Sequence, residues 1–119
     1  MKGDICEVEA ADEVKVRRVR ERMPSDGVVR RASDVFKLLS EPTRLRILYA
    51  LSAEPLCVCE IASLLGMNQS AVSHQLRILR SAGIVNYERV GKMARYYLKE
   101  EGIVNVMESC EHIGSMEDR

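Results

Sequence analysis

The sequence contains no tryptophan, one phenylalanine and four tyrosines in 119 residues, so a core must be built from aliphatic side chains. Three prolines and seven glycines are too few for a collagen-like or low-complexity chain. No apolar run approaches the roughly 20 residues that span a bilayer, and residues 1–20 lack the apolar stretch of a secretory leader. Membrane-spanning and secreted readings are thereby set aside, and a cytoplasmic protein without a membrane partner is expected. A Ser/His/Asp constellation and a phosphate-cradling loop are both absent. A Cys-x-x-Cys beside a βαβ pattern is absent as well, so neither an enzyme nor a thiol oxidoreductase is expected.

Net charge is zero, with 18 basic and 18 acidic side chains. The zero conceals a gradient. Residues 1–36 carry 8 basic and 8 acidic groups, residues 37–99 carry 9 and 4, and residues 100–119 carry 1 and 6. A basic middle followed by an acidic tail suits a polyanion met by one surface only.

Along the chain, Asp12 and Glu13 precede Arg17, Arg18, Arg20 and Arg22, a charge order that favours a helix through its dipole. Its apolar stripe is thin. Pro24-Ser25-Asp26-Gly27 is a turn cluster, after which Val28, Ala32, Val35, Phe36 and Leu39 recur at helical spacing and stop near Ser40. Ser40-Glu41-Pro42-Thr43 reads as a cap with proline in the first turn, opening a helix that Glu54-Pro55 ends. A short helix follows from about Val58 to Leu65, closed by Gly66. Met67-Asn68-Gln69 is the turn into a helix from Ser70 to Ala82, with Val72, Leu76 and Leu79 inward and Ser70, Ser73, Gln75, Arg77 and Arg80 outward. The period then changes to that of strands: Val85–Val90 and Met93–Leu98 flank Gly91-Lys92, a two-residue hairpin turn. A last helix spans roughly Glu101 to Ile113.

A short helix, a turn and a polar-faced helix make a helix-turn-helix, and the basic hairpin behind it makes the wing. The fold class is therefore mainly α with a β-hairpin wing, a winged helix-turn-helix. Residues 1–24 form an amino-terminal arm and helix, and residues 25–119 the DNA-binding and dimerisation domain. On the second helix of the unit, Ser70, Ser73, His74, Gln75 and Arg77 can reach phosphates and base edges, with Gln75 able to pair bidentately with adenine. His74 is assigned to DNA rather than to metal because no second ligand type sits three or four residues away. Arg89, Lys92 and Arg95 on the hairpin meet the flanking backbone or minor groove. A solvated, unremarkably charged face is the competing reading.

Four cysteines are present: Cys6, Cys57, Cys59 and Cys110. Structural disulfides are not expected in the cytosol, leaving thiolate chemistry or simple burial. Residues i and i+2 of a regular helix point about 200° apart, so Cys57 and Cys59 can share an ion only if that segment is extended or distorted. Pro55 places Cys57 before or within the first turn, where a helix N-terminus is expected to lower its pKa. Clamping both onto one ion would strain the start of the helix and shift its neighbour relative to DNA. Cys110 and His112 are also two apart; they leave open a metal site assembled across a dimer, or a packed thiol and a surface histidine.

The runs LLSEPTRLRILYAL and LCVCEIASLLGMNQSAVSHQLRILRSAGIV and the GKMARYYL hairpin resemble the ArsR–SmtB family of metal-sensing winged-helix repressors over about residues 30–100. The arm DICEVEAADEVKV is similar to that of CadC-type cadmium/lead repressors. The resemblance implies a homodimer on an imperfect palindrome of operator DNA, with the helices at Val28–Leu39 and Ile103–Ile113 as the dimer surfaces. It implies release of DNA when a soft ion (cadmium, lead, zinc or bismuth) binds a thiolate site formed by the LCVCE box, Cys57 and Cys59, and the arm residue Cys6; no organic cofactor is implied. The chain departs from the pattern at Ala10, where such arms carry a second cysteine, leaving three thiolates. Three sulfurs suit lead(II) or bismuth(III), whereas cadmium or zinc would want water or a carboxylate such as Glu9. Ala62 stands where the arsenic-sensing pattern needs a cysteine. The last-helix zinc site of some relatives falls on Glu100, Gly102, Ile113 and Met116, only one of which can bind metal. A thiol–disulfide redox sensor joining Cys6 to Cys57 or Cys59 is the alternative function.

Overall fold

The structure, a computed structural model, describes residues 11–115; Cys6, Ala10, Glu9 and Met116 lie outside the described residues. The chain divides into two compact units, residues 1–33 and 34–119. In the first, α1 (Glu13–Arg22) is capped by Asp12, whose carboxylate accepts from the backbone N–H groups of Val14 and Lys15 at 3.1 Å. No residue of α1 is buried. The helix α2 (Asp26–Leu39) starts in this unit and ends in the second.

The second unit is a helical layer laid on a small sheet. Pro42 opens α3 (Pro42–Ala53) directly after its cap, Glu41, whose carboxylate accepts from the Arg44 N–H at 3.0 Å. Glutamate is an uncommon cap. The short helix α4 (Val58–Leu65) ends at Gly66, which takes the left-handed φ of +67° that a Cβ would resist. Asn68 caps α5 (Gln69–Ser81) by accepting from the Ala71 N–H at 2.8 Å. The last helix is α6 (Gly102–Ser115).

Three antiparallel strands run in the order β1-β3-β2, with β1 at Leu56–Cys57, β2 at Val85–Val90 and β3 at Met93–Leu98. The hairpin β2–β3 pairs Val90 with Met93 around Gly91 (φ +64°), as the turn chemistry anticipated. The third strand was not anticipated. It is two residues long, too short for an alternating pattern, and it pairs Leu56 with Tyr96 and Cys57 with Arg95.

The core is aliphatic, as the aromatic shortage requires. Ile47, Leu48, Ile61, Val72, Leu76 and Leu79 are fully excluded from water, with Leu51, Ile84, Val85, Ile103 and Met107 nearly so. They come from α3, α4, α5, β2 and α6 and the turn before β2, so one cluster joins the helix-turn-helix to the base of the wing. No polar or charged residue among those described is buried. The fold class read from the sequence is borne out. Truncating Leu76→Ala, at the centre of this cluster, is expected to cost about 2–5 kcal/mol, whereas Leu64→Ala, at an exposed position of α4, should change stability by less than about 0.5 kcal/mol; urea unfolding checks both.

Candidate nucleic-acid interface and thiol segment

Burying Val72, Leu76 and Leu79 turns the opposite arc of α5 to solvent. Ser70, His74 and Arg77 are exposed there, and Ser73 is half-buried at its edge. Gln75 sits differently. It is half-buried beside the apolar stripe, and its Oε1 accepts from Arg44 Nε at 2.9 Å. No sequence pattern within α5 could reveal a partner 31 positions away.

The wing projects Arg89 and Lys92 at its exposed tip. Arg95 is exposed too, but forms an ion pair with Glu88 at 2.9 Å across the hairpin, where the two residues are directly in register. Such a solvated pair is worth little, so the arginine remains available to a phosphate. Helix and wing are joined through aromatic groups that sequence reasoning passed over. The Arg80 guanidinium lies 4.9 Å from the Tyr87 ring centre, and the Tyr87 and Tyr96 rings are 5.2 Å apart at 45°. Tyrosines directly opposite each other on adjacent strands are a signal that hairpin pairing could have exposed.

Cys57 is the N-cap of α4 in extended backbone (φ −86°, ψ 162°), while Cys59 lies in the first helical turn; both are half-buried free thiols. The segment thus breaks from strand to helix between them, the irregularity that a shared ion would require. Glu60 accepts from the Cys57 backbone N–H at 2.8 Å. The thiol's pKa is raised, not lowered as its place at a helix start led us to expect. Burial pushes it above its ordinary value, and the negative charge of Glu60 and the neighbouring Cys59 add to this; Arg95 opposes them. Cys57, Arg95 and Glu88 occupy one cross-strand row, which explains that opposition. Among the described residues no group of three or more histidine, cysteine or acidic side chains could hold an ion. Cys6 lies outside the described residues.

Cys110 and His112, both exposed on α6, line different hollows. Cys110 borders an apolar groove of about 360 Å³ with Phe36, Leu45, Tyr49 and Val106, while His112 lies beside Asn105 and Glu108. The structure does not bring them together. Across the groove the Tyr49 hydroxyl donates to Glu111 at 2.5 Å; that hydrogen bond, with burial behind it, pushes the phenol up to about 12.

A three-stranded sheet behind a helix-turn-helix, with a solvent-facing polar helix and a basic hairpin, defines a winged-helix DNA-binding protein. The family model described as "Bacterial regulatory protein, arsR family" matches residues 41–87. The chain is 36% identical over 110 residues to a transcriptional repressor SmtB homolog of Synechocystis, covering 92% of this chain and 83% of the relative. It is 38% identical over 111 residues to a CadC homolog of Staphylococcus aureus, a cadmium resistance transcriptional regulatory protein, covering 92% and 91%. The homodimeric winged helix-turn-helix domain Mb0332 of Mycobacterium bovis superposes with a TM-score of 0.70 at 27% identity, over 79% of this chain and 90% of that one. The chain belongs to the arsR family of transcriptional regulators.

The opposing charges around Cys57 make a direct test. Glu60→Gln should speed iodoacetamide alkylation of Cys57 at pH 8 by lowering the thiol pKa, and Arg95→Gln should slow it. In the parent, the rate should rise through a midpoint above the usual ~8.5 of a free cysteine; peptide mapping by mass spectrometry follows the one residue.

Proposed function

We propose that this protein is a homodimeric repressor that holds an imperfectly palindromic operator when metal-free and releases it when a soft metal ion binds Cys57, Cys59 and Cys6. The observation that carries the reading is the strand-to-helix break between Cys57 and Cys59, which frees the two thiols from the divergent geometry of a regular helix. The relative named for cadmium resistance supports cadmium among the candidate ions; lead, zinc and bismuth suit the same sulfur donors. The ion, when bound, supplies thiolate bonds that hold the segment in one geometry.

What the chain's own residues then do follows from where they sit. Cys57 is paired in register with Arg95, so a displacement of Cys57 is carried into the wing strand. Cys59 lies in α4, whose Ile61 and Ala62 pack in the same core as Val72 and Leu76 of α5. Strain in the opening turn of α4 therefore reaches both the wing and the recognition helix. Ser70, Ser73, His74, Gln75 and Arg77 face or flank DNA in this reading, and Arg89, Lys92 and Arg95 take the flanking backbone. The exposed Phe36 (57%) and Ile113 (64%) and the apolar groove beside Tyr49 are the surface a second copy covers, as the homodimeric neighbour supports. Cys110 and His112, on separate hollows, stand outside this metal site.

The test is fluorescence anisotropy of a labelled duplex enriched by the metal-free protein from a randomised library, at fixed salt. Cadmium should weaken binding about 5- to 150-fold, the ordinary range of allosteric coupling. Cys57→Ser should bind DNA like the parent and lose the response; a variant that still dissociates overturns the thiolate site. Peroxide added without metal should leave binding unchanged, and dissociation by peroxide alone would favour the disulfide sensor instead.

A further inference from the structure

Gln75 is held from inside the protein, and the residue holding it spans three elements. Arg44 Nε donates to Gln75 Oε1 at 2.9 Å, Arg44 Nη1 donates to the Leu38 carbonyl near the end of α2 at 3.3 Å, and the Arg44 backbone N–H is tied to Glu41. A guanidinium carries five donors and no acceptor, so only the carbonyl oxygen of the Gln75 amide can face it. The amide is therefore oriented, with its nitrogen left over, and that nitrogen has no hydrogen-bond partner among the described residues.

This matters for what the side chain can recognise. A glutamine that pairs bidentately with adenine must donate to N7 and accept from the N6 amine, using both ends of the amide on one base edge. With its oxygen engaged by Arg44, Gln75 offers donors. Guanine presents two acceptors in the major groove, O6 and N7, whereas adenine presents one, N7, and sets its N6 amine donor against the second amide hydrogen.

We propose that Arg44 is a positioning residue for operator specificity: it turns the Gln75 oxygen inward, so that Gln75 prefers guanine over adenine at one base pair of each half-site. The proposal rests on the operator-binding reading above. It replaces the adenine pairing that the sequence of α5 suggests by itself.

The full-length metal-free protein is used to select duplexes from a library with a randomised central segment, in parallel with Gln75→Ala, Arg44→Met and Gln75→Glu. Gln75→Ala should make one base position per half-site degenerate, and at that position the parent should prefer guanine over adenine by about tenfold. Arg44→Met, which frees the amide to turn, should bring that ratio close to one. Gln75→Glu keeps an acceptor for Arg44 but has no donor, so it should lose guanine at the same position while folding normally by circular dichroism. If Arg44→Met does not fold, Gln75→Glu decides: retained guanine overturns the proposal. It is equally overturned if the parent selects adenine there, if a folded Arg44→Met keeps the parent's ratio, or if Gln75→Ala alters no position. Failure of the parent to enrich any duplex is a separate signature, which overturns operator binding and this proposal with it.

Discussion

Val72, Leu76 and Leu79 are wholly excluded from water, and this one stripe decides which side of α5 is offered to a partner. A helix can bury only one arc, so committing these three positions to the core forces Ser70, His74 and Arg77 outward. The same cluster takes Ile47, Leu48 and Leu51 from α3, Ile61 from α4 and Val85 from β2. The angle of the recognition helix and the root of the wing are consequently set by one aliphatic packing problem. No aromatic residue is among the buried residues of the cluster, so the fit depends on many small aliphatic contacts.

The thiol segment depends on that packing and feeds back on it. Cys57 belongs to a two-residue strand on the edge of the wing sheet and caps the helix that begins next. A residue in two elements cannot move without moving both. In register with Cys57 come Arg95 and Glu88, so the cysteine shares a row with a charge on the wing. Tyr87 and Tyr96 lie in the neighbouring row, where Arg80 reaches from α5 onto Tyr87. Thiol, wing and recognition helix are thus connected by a short ladder of strand pairs and one cation–π contact, rather than by the helix-turn-helix alone.

Much of this was legible from local pattern. Helical spacing located α2 through α6 to within a residue or two, Gly66 and Gly91 marked a helix end and a hairpin turn, and the period change after Gly83 marked the wing. The serine and arginine positions of α5 followed from the same spacing. Where local pattern misled, burial or a particular side-chain contact was responsible. Cys57 stood at a helix start, where a lowered pKa was expected, yet burial and Glu60 raise it. Gln75 was read with the outward face, but Arg44 holds its oxygen.

The sequence by itself determined the order of elements, the inward stripe of each helix, the hairpin turn and the chemistry available at each position, because these depend on residues a few places apart. Tertiary structure alone decided the pairing of Leu56 and Cys57 with the wing, the bond from Arg44 to the recognition helix and the placing of Arg95 beside Cys57. Those depend on which distant segments meet, and a two-residue strand or a single side-chain hydrogen bond leaves no periodic trace in the chain.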